Sequence, residues 1–249
     1  MIRNDVSMKE TCYYLVVMKT EKTVTFYYVR HGKTLFNRLG RMQGWSDSPL
    51  EEEGVYQAYE AKEQLKEIPF ARAYTSTSER CIDTAHIILE GRDVPITYTK
   101  QLKEMNWGDY DGALVSEHLE EINSRRFGSC NWSDVGGENV KMLMERVQDC
   151  YGRIYEECQD GDQVLVVSHG AIFLQMMYQI FGLNKDEMFR LMKEHNDTGH
   201  PVSHGFAAVF QIRDGVYELL QLNGHYEGFL EDLKEFHHNQ EESTCSGRC

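Results

Sequence analysis

The sequence has few basic residues for its length. Its 249 residues include 26 lysines and arginines against 40 aspartates and glutamates, which gives a formal net charge of −14 at pH 7. A surface with this charge repels nucleic-acid phosphates and anionic membranes, so neither is predicted as a partner. Any anionic ligand must therefore bind in a locally basic pocket.

Long hydrophobic runs are also missing. The longest apolar stretches, such as residues 13–18 and 171–177, fall far short of the roughly 20 residues that cross a bilayer. The first of them leads into charged residues without a small-residue cleavage site, so no secretory signal is predicted. The contents of 41% hydrophobic and 27% charged residues are typical of soluble globular proteins. We therefore expect a folded cytoplasmic protein.

The seven cysteines include no C-x-x-C pair. An odd number without that spacing indicates neither a complete disulfide framework nor a zinc ribbon. The cysteines are therefore expected to be reduced thiols.

Hydrophobic periodicity predicts alternating strands and helices. Apolar, β-branched and aromatic runs predict strands at 23–29, 70–75 and 164–167 and a hairpin at 207–212 and 216–222. Helical spacing predicts helices at 50–67, 138–158 and 171–181, and Ser78 predicts a capped helix continuing through 81–89. This order predicts one α/β domain, a three-layer α/β/α sandwich whose mostly parallel sheet carries an antiparallel element.

Both ends of the sequence are interpreted as additions to this domain. Residues 1–20 precede the first strong strand signal and are predicted to form an N-terminal extension, so that the domain covers residues 21–236. Residues 237–249 are polar and have no apolar period, which predicts a flexible tail.

Two predicted strands end alike. The first runs into Arg30-His31-Gly32, and the strand at 164–167 runs into Ser168-His169-Gly170. In open α/β sheets, ligands bind beyond the carboxyl ends of strands, and a glycine there permits a tight turn. A lone histidine at such a place is usually a satisfied side chain, but this pair predicts one crevice that both imidazoles face.

The histidines belong to longer motifs that follow one another in order. These are Arg30-His31-Gly32-Lys33-Thr34-Leu35-Phe36-Asn37, Gln43-Gly44, Asp47-Ser48-Pro49-Leu50, Thr75-Ser76-Thr77-Ser78-Glu79-Arg80-Cys81-Ile82-Asp83-Thr84-Ala85, Leu102-Lys103-Glu104-Met105-Asn106-Trp107-Gly108-Asp109-Tyr110-Asp111-Gly112, Gly136-Gly137-Glu138-Asn139 and Val166-Val167-Ser168-His169-Gly170. Together they resemble the histidine phosphatase superfamily, which is phosphoglycerate mutase-like in fold. The resemblance spans most of residues 24–222, and ordered blocks are far more specific than one Arg-His-Gly triplet.

The resemblance implies a role for each core position. His31 is the nucleophile that accepts the phosphoryl group, and the side chains around the phosphate oxygens are Arg30, Arg80 and His169, with Asn37 as an additional donor. Phosphoryl transfer spreads negative charge over three oxygens, which suits a pocket of fixed positive donors.

The resemblance further implies that Glu104 is the general acid that protonates the leaving oxygen, with Asp109 and Asp111 as competing carboxylates. Gln43, Gly44 and Trp107 are predicted to line the substrate pocket. Arg125 and Arg126 either extend that pocket or lie on the solvated surface.

Three further histidines, His195, His200 and His204, lie within ten residues of one another. They carry no recognised ligand signature, so we interpret them as a solvated loop or a pocket wall and predict no metal site.

The predicted function is hydrolysis of a small phosphorylated metabolite by a metal-independent phosphomonoesterase, without a cofactor, through a phosphohistidine intermediate. One alternative is a cofactor-dependent phosphoglycerate mutase. Such mutases carry a longer insertion before the Gly-Gly-Glu block, whereas only residues 113–135 stand there in this chain, which favours a phosphatase. Another alternative is a non-catalytic phosphate-sensing or scaffold protein, which the intact core positions disfavour. The sequence predicts no oligomeric state.

Overall fold

The computed structural model describes residues 22–184 and 204–222. The predicted extension at 1–20 and the predicted tail at 237–249 lie outside the described residues. None of the helices within the described ranges is long and apolar enough to cross a bilayer.

A six-stranded mixed sheet forms the centre of the fold. Its strands are β1 (Thr23–Arg30), β2 (Arg72–Ser76), β3 (Ile96–Thr99), β4 (Gln163–Ser168), β5 (Gly205–Arg213) and β6 (Val216–Leu222). Their order is β3-β2-β4-β1-β5-β6. The first four in that order pair in parallel, and β5 runs antiparallel to both β1 and β6. The predicted sheet, including its antiparallel hairpin, is confirmed.

The helices follow the strands closely. They are α1 (Leu35–Arg38), α2 (Glu52–Gln64), α3 (Glu79–Leu89), α4 (Leu119–Phe127), α5 (Val140–Glu157) and α6 (Gly170–Gln179). Single 3₁₀ turns occupy Lys100–Leu102, Gly108–Tyr110, Val115–Glu117 and Ser133–Val135. The long predicted helix begins where Asn139 caps it by accepting a hydrogen bond from the Met142 N–H at 3.0 Å. The sequence did not predict β3, α1 or α4.

Two apolar cores cover the two faces of the sheet. Side chains alternate along a strand, so Phe26 and Tyr28 face one side while Val29 faces the other. Phe26 and Tyr28 belong to the larger core, to which α5 and α6 contribute Tyr151 and Phe173. Val29 belongs to the smaller core with residues of α2 and α3. The sheet therefore lies between two helical layers, as the three-layer prediction requires.

Strand pairing brings the two histidine turns together. β1 and β4 are adjacent and parallel, and Arg30 pairs with Ser168 at their carboxyl ends. The His31 N–H donates to the Ser168 carbonyl at 3.1 Å, which continues the ladder by one residue. His31 and His169 therefore leave the sheet at the same edge, because parallel neighbours end at the same edge.

The turn after β1 lies against the first turn of α2 with no room for a side chain. A Cβ on Gly32 would come 2.2 Å from the Gly54 carbonyl oxygen, whereas a Cβ on Gly152 of α5 meets nothing within 4 Å. Gly32→Ala is therefore expected to lower the free energy of unfolding by about 1–3 kcal/mol, the usual cost of overpacking. The matched control Gly152→Ala is expected to raise it by about 0.5–1 kcal/mol, because alanine favours a helix. Urea unfolding measures both, and equal effects would contradict the contact.

Candidate active site

Two buried imidazoles meet at the carboxyl ends of β1 and β4. The ring centroids of His31 and His169 are 5.3 Å apart, and the rings lie at 64° to one another. His31 is 4% exposed and His169 is fully buried. The structure therefore brings both histidines together at the ends of these two strands, and the crevice that they would face stays a prediction.

The protonation of His31 is fixed by its own turn. Its Nδ1 lies 2.8 Å from the Gly32 carbonyl oxygen, so Nδ1–H donates and Nε2 keeps a lone pair. The sequence left this acceptor unidentified. Burial lowers the pKa of His31 well below its usual value, and the positive charges of Arg80 and Arg30 lower it further. His31 is therefore a neutral imidazole at pH 7, the form that a nucleophile requires.

Arg80 is fully buried beneath the loop at 44–47. Its guanidinium donates to the carbonyls of Gly44 and Ser46 at 2.9 and 3.0 Å, and to Nδ1 of His169 at 3.0 Å. It also forms an ion pair with Asp47 at 2.8 Å. The Asp47 carboxylate thus partly balances the charge of Arg80, which is predicted to bind phosphate. The sequence analysis predicted no such role for Asp47.

Asp47 also serves the helix that carries Arg80. Ser78 holds the N-cap position of α3, as predicted, but its side chain makes no capping hydrogen bond. The Asp47 carboxylate instead accepts from the Glu79 N–H at 2.5 Å. The predicted cap by Ser78 is wrong, because a neighbouring loop supplies the carboxylate that the helix N-terminus favours.

Both ring nitrogens of His169 have protein partners. Nδ1 accepts from Arg80, so the proton lies on Nε2, which donates to the Ser76 hydroxyl at 2.8 Å. Burial and then Arg80 lower the pKa of His169 well below its usual value. His169 thus holds Arg80 in place, and its contact with phosphate oxygens stays a prediction.

A hydrogen-bonded loop surrounds Asn37. The Asn37 Oδ1 accepts from the Thr34 N–H at 3.1 Å, and the Thr34 hydroxyl lies 2.6 Å from Oε1 of Gln43. The other end of the Gln43 amide donates to the Ser48 hydroxyl at 2.9 Å. In this structure, Gln43 therefore fastens the loop between α1 and α2, and its contact with substrate stays a prediction.

Asp111 organises the next turn of the same loop. Its carboxylate oxygens accept from the N–H groups of Gly44, Trp45 and Ser46 at 2.8, 2.7 and 3.2 Å, and from the Ser46 hydroxyl at 2.7 Å. A Cβ on Gly44 would lie 2.5 Å from the Met105 carbonyl oxygen, which explains the glycine. Four donors thus occupy the Asp111 carboxylate, which holds the turn at 44–46, whereas Asp109 is exposed.

Glu104 is 6% exposed and lies at the N-terminus of α6. One carboxylate oxygen accepts from the N–H groups of Met105 and Ile172 at 2.9 and 3.2 Å, and the other accepts from Ala171 at 2.9 Å. Ala171 and Ile172 directly follow Gly170, which lies against Arg30, since a Cβ there would be 3.1 Å from the arginine Nε. The carboxyl group predicted as the acid is thus held beside the predicted phosphate pocket.

A model of the histidine phosphatase superfamily (branch 1) matches residues 26–199. The chain belongs to this superfamily. A protein of Gloeobacter violaceus named 2,3-bisphosphoglycerate-dependent phosphoglycerate mutase 2 is 30% identical over 175 residues, or 67% of this chain and 80% of that protein. The superfamily consists of enzymes that are phosphatases or mutases.

Solved structures agree with the fold. Phosphoglycerate mutase from Bacillus anthracis superposes with a TM-score of 0.70 at 26% identity, over 82% of this chain and 95% of that one. The alpha-ribazole phosphatase from Shigella flexneri, at 23% identity, shares the fold with a TM-score of 0.63 over 81% of this chain and 96% of that one. The superfamily fold thus occurs in proteins named for either activity.

Arg146 of α5 holds the loop that carries Glu104, and the sequence analysis missed it. Its guanidinium donates to the carbonyls of Gln101 and Glu104 at 2.7 and 2.9 Å and pairs with Glu138 at 2.8 Å. Glu138 also accepts from the Asn106 N–H at 2.9 Å. The only sign of this contact in the sequence is Glu138, which belongs to the Gly-Gly-Glu motif. Arg146 itself looks like any other polar residue on the exposed face of an amphipathic helix.

The two neighbouring arginines of α4, Arg125 and Arg126, make different contacts. Arg125 pairs with Glu121 and Asp134 at 3.1 and 2.7 Å. Arg126 instead turns over the ring of Trp107, 5.8 Å from its centroid, and within residues 22–184 and 204–222 it forms no ion pair. Burial lowers the pKa of Arg126, while the charge of Glu104 raises it. Within the described residues, Arg126 is therefore a positive charge without an ion-pair partner, and its guanidinium contacts the Met42 sulfur at 2.8 Å.

His204 lies beside the nucleophile predicted from the sequence, whereas Trp107 packs among aromatic side chains, and its contact with substrate stays a prediction. Trp107 is 5% exposed and packs edge to face on Trp132, with centroids 5.0 Å apart. His204 is half-buried, its ring centroid 5.8 Å from that of His31. The interpretation of His204 as a pocket wall agrees with this position. His195 and His200 lie outside the described residues.

The two buried imidazoles predict a pH dependence of stability. In the unfolded chain a histidine protonates near pH 6.5, whereas burial holds the pKa of both His31 and His169 well below that value in the fold. The unfolded state therefore takes up protons first as the pH falls. The free energy of unfolding is expected to decrease below pH 6.5 by up to about 1.4 kcal/mol per pH unit for each histidine.

Urea unfolding between pH 7.5 and 5 measures this slope. His31→Asn is expected to reduce the slope of unfolding free energy against pH by the contribution of one histidine. His86 is exposed, and the control His86→Asn is expected to leave the slope unchanged. Identical slopes for wild type and His31→Asn would contradict the burial of a neutral His31.

Proposed function

We propose that the protein is a metal-independent phosphomonoester hydrolase that acts on a small phosphorylated metabolite through a phosphohistidine intermediate. The observation that carries the proposal is the state of His31: it is a neutral imidazole whose Nδ1–H donates to Gly32, next to two arginines. Its Nε2 is thus a nucleophile that needs no additional base.

The reaction takes two displacements. The Nε2 lone pair of His31 attacks phosphorus, the bond from phosphorus to the ester oxygen breaks, and Glu104 gives its proton to that oxygen. Water then attacks the phosphohistidine, the P–N bond breaks, and the water proton passes to Glu104. Inorganic phosphate leaves, and both His31 and Glu104 return to their starting protonation states.

Arginine charge takes the place of a metal ion in this proposal. At an effective dielectric constant of roughly 20, a unit charge about 4 Å away contributes about 4 kcal/mol, so two arginines beside a phosphate outweigh the more distant negative charges of the chain. Arg30 is 6% exposed at the end of β1, and Arg80 is fully buried. Buried donors that are already oriented suit the charge of a phosphoryl transition state.

Phosphoglycerate mutase is the second candidate, and Arg126 is the observation that favours it. A mutase must hold a substrate with a second anionic group while the phosphoryl group returns to it. The unbalanced charge of Arg126 above Trp107 suits such a group, and the Gloeobacter violaceus relative is named for this activity. A phosphatase whose substrate carries a second anionic group would use Arg126 in the same way, so an activity assay has to separate the two candidates.

A panel of phosphomonoesters tests the proposal, with His31→Asn as the inactive control. The panel includes 3-phosphoglycerate with and without 2,3-bisphosphoglycerate, and each assay is run with and without a chelator. We expect phosphate release that the chelator does not diminish. Isomerisation of 3-phosphoglycerate faster than phosphate release would favour the mutase, and loss of activity that only a divalent cation restores would refute a metal-independent enzyme. Absence of both turnover and a phosphoenzyme would favour a sensor.

A further inference from the structure

A bulge in the sheet brings a third histidine to the site. β5 pairs antiparallel with β1, and the register shifts by one residue between Tyr28 and Val29, so that Arg30 pairs with Gly205. In an antiparallel pair, the residue after Arg30 lies opposite the residue before Gly205. His31 is therefore opposite His204. Without the bulge, His31 would lie opposite Gly205.

His204 contacts the amide of Asn37. Its Nε2 lies 3.2 Å from Asn37 Oδ1, which also accepts from the Thr34 N–H at 3.1 Å. An amide oxygen only accepts, so His204 donates from Nε2 whether its ring is neutral or charged. The Thr34 hydroxyl lies 3.0 Å from the same oxygen, so donors from Thr34 and from His204 together fix which end of the Asn37 amide is the oxygen.

The other end of that amide is left to act as a donor. In the part of the chain that the structure describes, no hydrogen bond uses Nδ2 of Asn37. His204 packs edge to face on His31, with rings at 60° and centroids 5.8 Å apart, so Asn37 and the nucleophile share one neighbour. After burial and the two arginines, His204 also lowers the pKa of His31.

We propose that His204 is a positioning residue of the phosphate site, which holds Asn37 Oδ1 so that Asn37 Nδ2 donates to an oxygen of the bound phosphoryl group. The inference rests on the proposed function for the identity of the ligand. It assigns His204 no proton transfer and no contact with the reacting atoms.

Two substitutions separate the hydrogen bond from the packing. His204→Phe keeps a ring against His31 and removes the donor, whereas His204→Gln restores a neutral N–H donor. We expect His204→Phe to raise both the Kd for orthovanadate, measured by titration calorimetry, and the KM about 5- to 15-fold, as for the loss of one hydrogen bond. His204→Gln is expected to recover most of this loss, and the exposed His86→Gln is expected to change neither constant.

A double-mutant cycle with Asn37→Ala provides the decisive comparison. If His204 acts through Asn37, then His204→Phe has no further effect on vanadate affinity once Asn37→Ala is present. Three results would each overturn the proposal. They are effects of the two substitutions on the vanadate Kd that multiply, a His204→Gln that binds vanadate as weakly as His204→Phe, and a vanadate Kd that His204→Phe leaves unchanged. Should His204→Phe not fold, His204→Leu replaces it in the same comparison.

Vanadate binding is measured without turnover. Failure of the proposed function would appear as a wild-type protein that releases no phosphate from any ester, whereas failure of the inference about His204 would appear in the variants' vanadate affinities.

Discussion

Substitution of His31 by asparagine is expected to lower kcat/KM for every phosphomonoester substrate by about 10⁴-fold or more, because it removes the proposed nucleophile. During turnover, the wild-type protein is expected to carry an acid-labile, base-stable phosphoryl group, as a phosphohistidine does. Rapid quench with a ³²P-labelled substrate measures that group, and the label is expected to be missing in His31→Asn.

Cys81 is another potential nucleophile at this place, with its Sγ 3.5 Å from Nε2 of His169. Burial raises the pKa of the Cys81 thiol, so it stays protonated and unreactive. The exposed His86→Asn supplies the matched control and is expected to keep full labelling. A label on serine or cysteine, or undiminished labelling of His31→Asn, would refute the assignment of the nucleophile.

Replacement of Glu104 by glutamine is expected to affect substrates according to their leaving groups. A departing alkoxide needs a proton, whereas p-nitrophenolate is stable as an anion. Since general acid catalysis typically contributes ~10²–10⁴-fold, kcat/KM for an alkyl phosphate is expected to fall by about that factor, and kcat/KM for p-nitrophenyl phosphate much less. Steady-state kinetics on both substrates measures the ratio.

The structure adds a second consequence for this variant. Three N–H groups face the two oxygens of Glu104, so the NH₂ end of a glutamine must face at least one N–H donor. That mismatch is expected to lower kcat/KM for both substrates alike. Only the ratio of the two kcat/KM losses therefore reports the loss of general acid catalysis. Equal losses would indicate that Glu104 has a binding role.

The two competing aspartates serve as comparison variants. Asp111→Asn replaces one of the two acceptor oxygens that hold the turn at 44–46 by an NH₂ donor and is expected to reduce both activities together. Asp109 is exposed, and Asp109→Asn is expected to leave both nearly unchanged. If kcat/KM fell more for the alkyl phosphate than for p-nitrophenyl phosphate in one aspartate variant but not in Glu104→Gln, that aspartate would be the general acid.

Local patterns in the sequence were sufficient for most of the fold. The apolar runs that became β1 and β4, and the helical period that became α5, report burial directly, because a strand buried on both faces or a helix with one apolar stripe has few alternatives. The paired histidine turns followed from the same strands. The sequence did not predict β3, whose four residues at the sheet edge are partly or fully exposed and therefore show no apolar run.

Contacts between distant loops required the tertiary structure. Asp47 balances Arg80, Arg146 holds the loop of Glu104, and the Gly32 carbonyl orients His31. Each partner is a common polar group whose sequence neighbourhood gives no sign of the contact. The order of strands, one bulge in β5 and the course of the loops decide which groups meet, and His204 lies beside His31 only because that bulge shifts the register by one residue.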